Sequence, residues 1–267
     1  QPESLKQKSL STRFDVLNQL QKDFFVWEIE QYFDWVPNSY LQSVPPQAVA
    51  THIRLLRSLE NEPFVLNIQH NQEGSHYSLS LACQGEKNPL ENLIGIITSK
   101  NLNILGAQFF LMQNGIVITT LQVGGREEIK SETDPIWLEV EQNLHDILEG
   151  KRGVNELLKE RKRYISGKTL TKPIIPKIRI DNKVSAEYTV IRVEAQDHVG
   201  LLFKIVKTLS KLGIQIHHAK IACHGDRGID VFYTTLRGQK INLKKLVQQV
   251  RDRLTQTLPV KNIEDVS

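Results

Sequence analysis

The loop Asp197-His-Val-Gly200 and the Leu201 that follows it contain residue types that suit a small charged ligand. The first N–H groups of a helix have no partner within that helix, and they attract anions such as a carboxylate. Asp197 or the loop carbonyls offer a partner for an ammonium group, and Gly200 lets a ligand approach the backbone or lets the chain adopt a positive φ. We therefore expect a free amino acid to be bound by Asp197, His198, Val199, Gly200 and Leu201.

The alternative interpretation of this loop is purely structural. Asp197 and Gly200 would then only shape a turn and cap a helix. Spacing alone favours this alternative, because short loop motifs are weakly specific. A ligand-binding role therefore needs support from the surrounding residues.

Three histidines and a cysteine lie close together after the helix that this loop opens. Neighbouring residues of a strand point to opposite faces, so His217 and His218 cannot hold one ion without distortion. Together with Cys223 and His224, their spacing matches no common zinc pattern. The sequence therefore predicts no metal site here.

Two short stretches resemble fragments of catalytic motifs. His145-Asp146 is an HD dipeptide, which metal-dependent phosphohydrolases use with further His and Asp ligands. Such ligands are not suitably placed, so we interpret the dipeptide as an exposed polar pair on a helix. Residues 73–75 could be a nucleotidyltransferase loop, but no D-x-D follows to hold Mg²⁺. We interpret them as a hairpin turn.

Composition and charge are those of an ordinary globular protein. Of the 267 residues, 40% are hydrophobic and 24% are charged, so two domains with real cores are expected. The net charge of +4 is mild, and the basic cluster at 151–163 is typical of a solvated helix face, so no nucleic-acid binding is predicted. No apolar run approaches the roughly 18 residues of a membrane span, so no membrane contact is predicted.

Cysteine usage and the first residue bear on where the protein works. Cys83 and Cys223 are the 2 cysteines, and they form no CxxC motif. This usage fits a reducing compartment, so we expect a cytoplasmic protein. The sequence begins at Gln1 rather than Met, which leaves open that it is a piece of a longer protein.

Internal repetition is the strongest signal along the chain. Residues 65–88 align with 177–200 without a gap, and residues 102–108 align with 214–220 at the same offset of 112. Identities are sparse, but the apolar pattern agrees across a strand, a loop, a helix and a second strand. We infer two copies of one structural unit.

Each copy has the same predicted elements. Alternating β-branched residues indicate strands, and apolar residues at helical spacing indicate helices with one buried face. The order β-α-β-β-α with a flanking strand predicts an α+β fold of two ferredoxin-like βαββαβ units. The first copy has strands at 76–83, 102–111 and 116–123 and helices at 89–100 and 134–149. The second has strands at 188–195, 214–223 and 229–236, a helix from Gly200 to Gly213, and a helix over 242–254 with Asn242 as N-cap.

Residues 1–60 differ from both copies and are expected to form a helical extension. Prolines after Ser43 are typical of a helix start. A single helical stripe is predicted from Phe14, Leu17, Leu20, Phe24 and Trp27. The extension is expected to dock on something through this stripe, and the sequence does not identify the surface.

The pattern D-x-x-G-L-L at 197–202 within a βαββα unit resembles an ACT domain, the amino-acid-sensing module. Residues 176–233 resemble the last ACT domain of the bifunctional PII uridylyltransferase/uridylyl-removing enzymes of bacteria. Residues 38–59 resemble the segment that joins the HD domain of those enzymes to their first ACT domain. The resemblance implies a helical extension at 1–60, a first ACT domain at 63–163 and a second at 176–267.

The resemblance also implies a function. Members of the family attach UMP to the PII signalling protein and remove it, with glutamine as the nitrogen signal, so glutamine and PII are the implied partners. This chain lacks catalytic motifs; the implied parent protein is a nucleotidyltransferase with phosphodiesterase activity, whose absent domains would need Mg²⁺. No cofactor is expected in this region, and ACT domains imply a possible homo-oligomer.

The first repeat departs from the family pattern at its own loop. Gly85 stands where the second repeat has Asp197, and Asn88 stands where it has Gly200. Glu86 is a partial substitute for the missing acid, so Gly85, Glu86 and Asn88 are expected to form a weaker second site.

Two other functions stay open at this point. The chain could be a stand-alone, non-catalytic regulator with two ACT domains that acts through protein contacts. Alternatively, both repeats could be structural and serve only to dimerise.

Overall fold

The computed structural model describes residues 2–36, 40–41, 44–71, 76–84, 89–124, 129–160, 174–224, 227–242 and 244–258. The helices are α1 (Pro2–Leu20), α2 (Val26–Trp35), α3 (Pro46–Ser58), α4 (Pro89–Ser99), α5 (Pro135–Leu148), α6 (Val154–Glu160), α7 (Leu201–Lys211) and α8 (Lys244–Thr257), with a short 3-10 helix at Leu59–Asn61. The strands are β1 (Phe64–Asn71), β2 (His76–Gln84), β3 (Asn103–Leu111), β4 (Ile116–Gly124), β5 (Lys177–Asp181), β6 (Thr189–Gln196), β7 (Ile214–His224) and β8 (Arg227–Leu236).

All eight strands form one antiparallel sheet in the order β1-β2-β4-β3-β7-β8-β6-β5. The two repeats meet in the middle, where β3 pairs with β7 from Gly106 opposite Ala222 to Phe110 opposite His218. Each half thus covers the open strand edge of the other, which would otherwise present unpaired backbone groups.

The internal repetition is confirmed, down to an irregularity in the ladder. A bulge between Ile104 and Gly106 in β3 recurs at the equivalent place between Ile216 and His218 in β7. The following hairpin, however, is one residue shorter in the second half, because Leu111 pairs with Val117 whereas Cys223 pairs with Gly228. Equivalent residues of β4 and β8 are therefore 111 apart rather than 112.

The predicted order βαββαβ needs a correction. Within the described residues, the outer strand of each half precedes the other elements: β1 pairs with β2, and β5 pairs with β6. The two strands of each pair are antiparallel neighbours joined by a short connection. The order in each half is therefore ββαββα. The outer strand occupies the sheet position expected for the flanking strand, but it comes from the beginning of each repeat rather than from its end.

One face of the sheet carries the main core, which runs without a break through both halves. Helices α4 to α8 cover this face. Gly95 in α4 lies at the junction of the halves, and a Cβ atom there would lie 2.8 Å from Val154 Cγ1 and 2.9 Å from Phe203 Cε2. The missing side chain lets α4 approach α6 and α7 closely.

The helical extension packs on the opposite face of the first half. Strand residues alternate between faces, so Val117 belongs to the main core whereas its neighbour Ile118 belongs to the core of the extension. Ala82 and Phe110 join Ile118 under α1, α2 and α3. The predicted docking of residues 1–60 is therefore confirmed.

The single stripe predicted for the extension is wrong in part. Leu20 and Phe24 are buried, but Phe14 is 65% exposed and Trp27 is 66% exposed. Helix α1 ends at Leu20 and α2 begins at Val26, so the helical period breaks between them and the stripe cannot continue. The predicted start at Ser43 falls outside the described residues, and α3 begins at Pro46 after an N-cap at Pro45.

Buried polar groups tie the extension to the sheet. The Tyr40 hydroxyl lies 2.7 Å from the Tyr32 hydroxyl and 2.6 Å from His52 Nδ1, and His52 Nε2 lies 3.0 Å from the Thr120 hydroxyl of β4. Burial lowers the pKa of His52 to about 4, so this imidazole is neutral at physiological pH. A neutral ring serves one donor and one acceptor, which the chain of hydroxyls supplies.

Among the described residues, no helix is both long and apolar enough to cross a membrane.

Candidate functional site

The predicted loop opens into a cleft between the two halves, which we call the polar cleft. Its cavity volume is about 10 Å³, room for about one water molecule, so a larger ligand enters only if the lining residues move apart. The first half contributes the end of α4 and the start of β3, and the second half contributes the loop, the start of α7 and residues of β7 and β8. The lining residues are Thr98, Leu102, Asn103, Ile104, Asp197, His198, Gly200, Leu201, Leu202, Ile221, Gly228 and Asp230.

Gly200 forms the N-cap of α7 with φ 96° and ψ 0°, a left-handed conformation that favours glycine. The Leu201 N–H donates to the His198 carbonyl at 3.0 Å, so it is already satisfied by the loop. The next N–H groups, of Leu202 and Phe203, lie in the first turn and have no acceptor within the helix. The predicted positive φ at Gly200 is confirmed, and the helix start faces the cleft.

Asp197 is held in place by the other repeat. Asn103, at the start of β3, donates from Nδ2 to Asp197 Oδ2 at 3.0 Å, across 94 residues of sequence. His198 is fixed locally, with its Nδ1 3.0 Å from the Gln196 carbonyl. Val199 is partly buried, but it is not among the residues that line the cleft. The structure thus brings together four of the five predicted residues.

Asp230 is a lining residue that sequence reasoning missed. It lies on β8 opposite Ile221 of β7 and Val193 of β6, and it is 2% exposed. Burial, together with the nearby Asp197 carboxylate, raises the pKa of the Asp230 carboxyl to about 8. The available signal was its phase in the strand, because Asp230 lies two residues from Gly228 and two from Phe232 and so points to the same inward face.

Gly228 makes room for the loop. A Cβ atom at this position would lie 2.9 Å from Leu201 Cδ2, closer than real Cβ contacts allow. Leu201 therefore packs over the backbone of β8, beside Asp230. The glycine sets how closely the start of α7 approaches the sheet.

A second cleft occupies the equivalent position in the other repeat, and we call it the apolar cleft. Its cavity volume is about 320 Å³. The structure does not describe residues 85–88, the counterparts of the loop at Asp197–Gly200. Among the described residues, most of the lining is aliphatic or aromatic: Pro89, Leu90, Glu91, Phe109, Leu111, Val117, Val206, Ser210, Gly213, Ile214, Gln215 and Ile216. Val117 replaces Gly228 here, and Gln215 replaces Asn103. The counterpart of Asp230 is Thr119, which is fully buried.

The other sequence candidates have different outcomes. Gly85, Glu86 and Asn88, the expected weaker site, lie outside the described residues, as do the side chains of Cys223 and His224. His217 contacts the Thr235 hydroxyl at 2.8 Å. His218 stacks between Phe110 and Tyr233, with ring centroids 4.5 and 4.9 Å away. The prediction that these side chains point to opposite faces is wrong, because the bulge between Ile216 and His218 interrupts the alternation. Both histidines have protein partners on the sheet face away from the polar cleft.

The HD dipeptide lies at the end of α5. His145 Nδ1 is 3.2 Å from Glu149, and these two residues with Asp146 have their potential ligand atoms within 4.8 Å of one another. Glu149 also pairs with Lys151, and this hydrogen bond lowers the pKa of the Glu149 carboxyl. His145 and Asp146 are partly buried, and the exposed Glu149 forms an ion pair with Lys151.

Comparison with known proteins supports the family assignment. The family described as "ACR9-like, ACT-like domain" matches residues 177–264. A bifunctional uridylyltransferase/uridylyl-removing enzyme of Azospirillum brasilense is 25% identical over 88% of this chain and 26% of its own length. Enzymes of the same name from Bradyrhizobium diazoefficiens and Nitrobacter winogradskyi are 27% and 29% identical, over 78% and 71% of this chain and 22% and 21% of their own lengths. The chain resembles this enzyme family along most of its length.

The similarity to the uridylyltransferase/uridylyl-removing enzymes confirms the resemblance predicted from the sequence. The chain spans about a quarter of the length of these curated relatives. The matched family covers the half that carries Asp197 and Asp230. A solved structure described as "Crystal Structure of an Unknown Protein from Galdieria sulphuraria" covers 68% of the chain at 12% identity, with a TM-score of 0.22.

Proposed function

We propose that this chain is the amino-acid-sensing regulatory region of a PII uridylyltransferase/uridylyl-removing enzyme, and that it binds glutamine in the polar cleft. Its two halves are ACT domains of ferredoxin-like arrangement that share one sheet. The observation that carries the proposal is the composition of the polar cleft, in which charged and polar groups from both repeats meet at a helix start. The name of the relatives, bifunctional uridylyltransferase/uridylyl-removing enzyme, gives the parent activity that such a region would regulate.

The chemistry of a free amino acid matches the two ends of this cleft. Its carboxylate suits the N–H groups of Leu202 and Phe203 at the start of α7, where the helix dipole favours negative charge. Its ammonium suits the Asp197 carboxylate, which Asn103 keeps oriented. Both contacts lie within one loop, so the ligand's two adjacent charges are matched together.

Regulation follows from the shared construction of the cleft. A ligand that touches Asn103 and Asp197 together favours the arrangement of the halves in which these residues are close. Two hydrogen bonds connect this half of the sheet to the helical extension. One joins His52 to the Thr120 hydroxyl of β4, and in the other the Gln113 N–H, after β3, donates to the Trp35 carbonyl at 2.9 Å. Coupling to catalytic domains requires that glutamine bind one arrangement more tightly than the other.

The remaining parts of the proposal concern the whole protein. The catalytic domains, with their Mg²⁺, would precede Gln1, and PII would be their substrate in the cytoplasm. Sequencing upstream of Gln1 tests this assignment, and a reading frame that encodes the nucleotidyltransferase and HD motifs would support it. A start codon immediately before Gln1 would instead favour a stand-alone regulator with two ACT domains.

The binding test is calorimetric titration of the chain with glutamine. Replacing Asp197 by Ala is expected to weaken binding by about 1–3 kcal/mol, the scale for the loss of a charged hydrogen-bond partner. Asp252→Ala is the matched control, because Asp252 bonds only Gln248 on the same exposed helix in the described contacts. Glu86→Ala should have a smaller effect than Asp197→Ala. Normal binding by Asp197→Ala with lost binding by Glu86→Ala would move the site to the first repeat.

A further inference from the structure

Asp230 is a buried carboxyl without a cation beside it. None of the ion pairs among the described residues includes it. It lines the polar cleft at 2% exposure, and the nearest charge that acts on it is the Asp197 carboxylate. A buried acid in such surroundings costs free energy unless it is neutral or finds a partner. The ligand is the natural candidate for that partner.

The surroundings of Asp230 determine which form of the acid a ligand meets. The groups that face it from β6 and β7 are apolar, namely Val193 and Ile221. The titratable groups on the loop above it are Asp197 and His198. Burial and the Asp197 charge raise the pKa of Asp230 to about 8, so at neutral pH the carboxyl keeps its proton. A protonated carboxyl has one O–H donor and one carbonyl acceptor.

We propose that Asp230 recognises a primary carboxamide in the side chain of the ligand and thereby selects which amino acid binds. The inference rests on the proposed function, because it assumes that the polar cleft holds a free amino acid. The O–H of Asp230 donates to the carboxamide oxygen of the ligand, and the carbonyl oxygen of Asp230 accepts from its NH₂ group. The α-ammonium and α-carboxylate stay at Asp197 and the start of α7.

The same geometry disfavours ligands of similar size. A side-chain carboxylate, as in glutamate, brings a second negative charge next to Asp197 and has no hydrogen to donate to the Asp230 carbonyl. An alkyl side chain, as in norleucine, leaves the buried carboxyl without a partner. Each mismatch is expected to reduce affinity by about tenfold to hundredfold, the usual effect of one unpaired buried polar group.

The test is calorimetry of glutamine, glutamate and norleucine with the whole chain, Asp230→Asn and Asp230→Leu, each checked for folding by circular dichroism. Asp230→Asn keeps a donor and an acceptor, so it should retain glutamine binding within a few-fold. Asp230→Leu should lose about tenfold or more in affinity for glutamine, and its preference should shift towards norleucine. Glutamine affinity should also fall between pH 6.5 and 8.5 more steeply in the unaltered chain than in Asp230→Asn. The ligand's own ammonium titrates equally in both.

The outcomes separate this inference from the proposed function. Glutamine binding with an unchanged preference in Asp230→Leu, or with the same pH dependence in the unaltered chain and Asp230→Asn, overturns the role of Asp230 alone. Failure of every amino acid to bind the unaltered chain overturns both proposals. If Asp230→Leu does not fold, the comparison with Asp230→Asn over pH still decides the matter.

Discussion

The polar cleft and the apolar cleft occupy equivalent positions in two copies of the same unit, but the described residues that line them differ. Where the polar cleft has Asn103 and Gly228, the apolar cleft has Gln215 and Val117. The backbone scaffold, including the bulge in the central strands, is nearly the same. The repeat therefore fixes where a cleft forms, and a few side chains decide what it can bind.

The opposite face of the sheet shows a second difference between the halves. In the first half, helices α1 to α3 cover Ala82, Phe110 and Ile118. Among the described residues, the core of the extension includes none from the second half, where His218 and Tyr233 stack on the sheet instead. One half thus connects to the extension, and the other half carries the polar loop. This division suits a region that senses in one repeat and transmits through the other.

The largest expected effect is on stability as pH changes, through Asp230. Its pKa rises from 3.8 to about 8 on folding, so the folded protein binds more protons than the unfolded chain between these values. The free energy of unfolding should therefore fall as pH increases from about 4 to about 8, and the loss should be complete above that range. Urea denaturation of the unaltered chain and Asp230→Asn at pH 5, 7 and 9 measures this.

The comparison isolates Asp230, because other titrating groups affect both proteins alike. Asp230→Asn should gain stability relative to the unaltered chain as pH rises. Asp252→Asn serves as the control and should show a constant difference, since Asp252 is exposed on α8. A constant difference for Asp230→Asn as well would mean that the carboxyl is ionised throughout.

The next effect concerns Gly200 and compares it with another glycine of the same half. Gly200 and Gly238 have φ of 96° and 74°, and nothing lies within 4 Å of a Cβ atom built on Gly238. Each change to Ala should cost about 1–2 kcal/mol of stability, because a side chain is strained in the left-handed region. Only Gly200→Ala should also weaken glutamine binding. Thermal unfolding and calorimetry on the two variants test this, and equal binding losses would remove Gly200 from the site.

Much of the fold could be predicted from the sequence, because the apolar residues of each half recur at regular strand and helix spacing. The strands and helices predicted around Gly200 and Gly213 agree with the structure to within a few residues. The helical stripe failed at Trp27 because a break between two helices resets the period, and the sequence has no proline or glycine there to mark it. It failed at Phe14 because α1 buries a different stripe, namely Thr12, Val16 and Leu20.

The candidate site was only half readable. Its loop shows in the sequence because Asp197 and Gly200 stand at the mouth of a helix. Asn103 could not be found, because its contact with Asp197 depends on how the two repeats pair along the central strands. The sequence did not identify Asp230 either. The offset of 112 would align Asp230 with Ile118, but the shorter hairpin of the second half aligns it with Thr119.

The smallest expected effect tests that alignment, at Thr119. Its hydroxyl is fully buried and has no hydrogen-bond partner among the described residues. It thus occupies the place of Asp230, but it is not among the residues that line the apolar cleft. Thr119→Val keeps the shape and removes the unsatisfied group, and it should raise the free energy of unfolding by about 1 kcal/mol.

Thr234 is the matched control, because it is equally buried but donates to the Thr189 carbonyl at 2.9 Å. Thr234→Val should therefore lower stability by about 1 kcal/mol. Urea denaturation gives both values, and a loss of stability in Thr119→Val would show that this hydroxyl has a partner, and that the first repeat keeps a polar function at the position of Asp230.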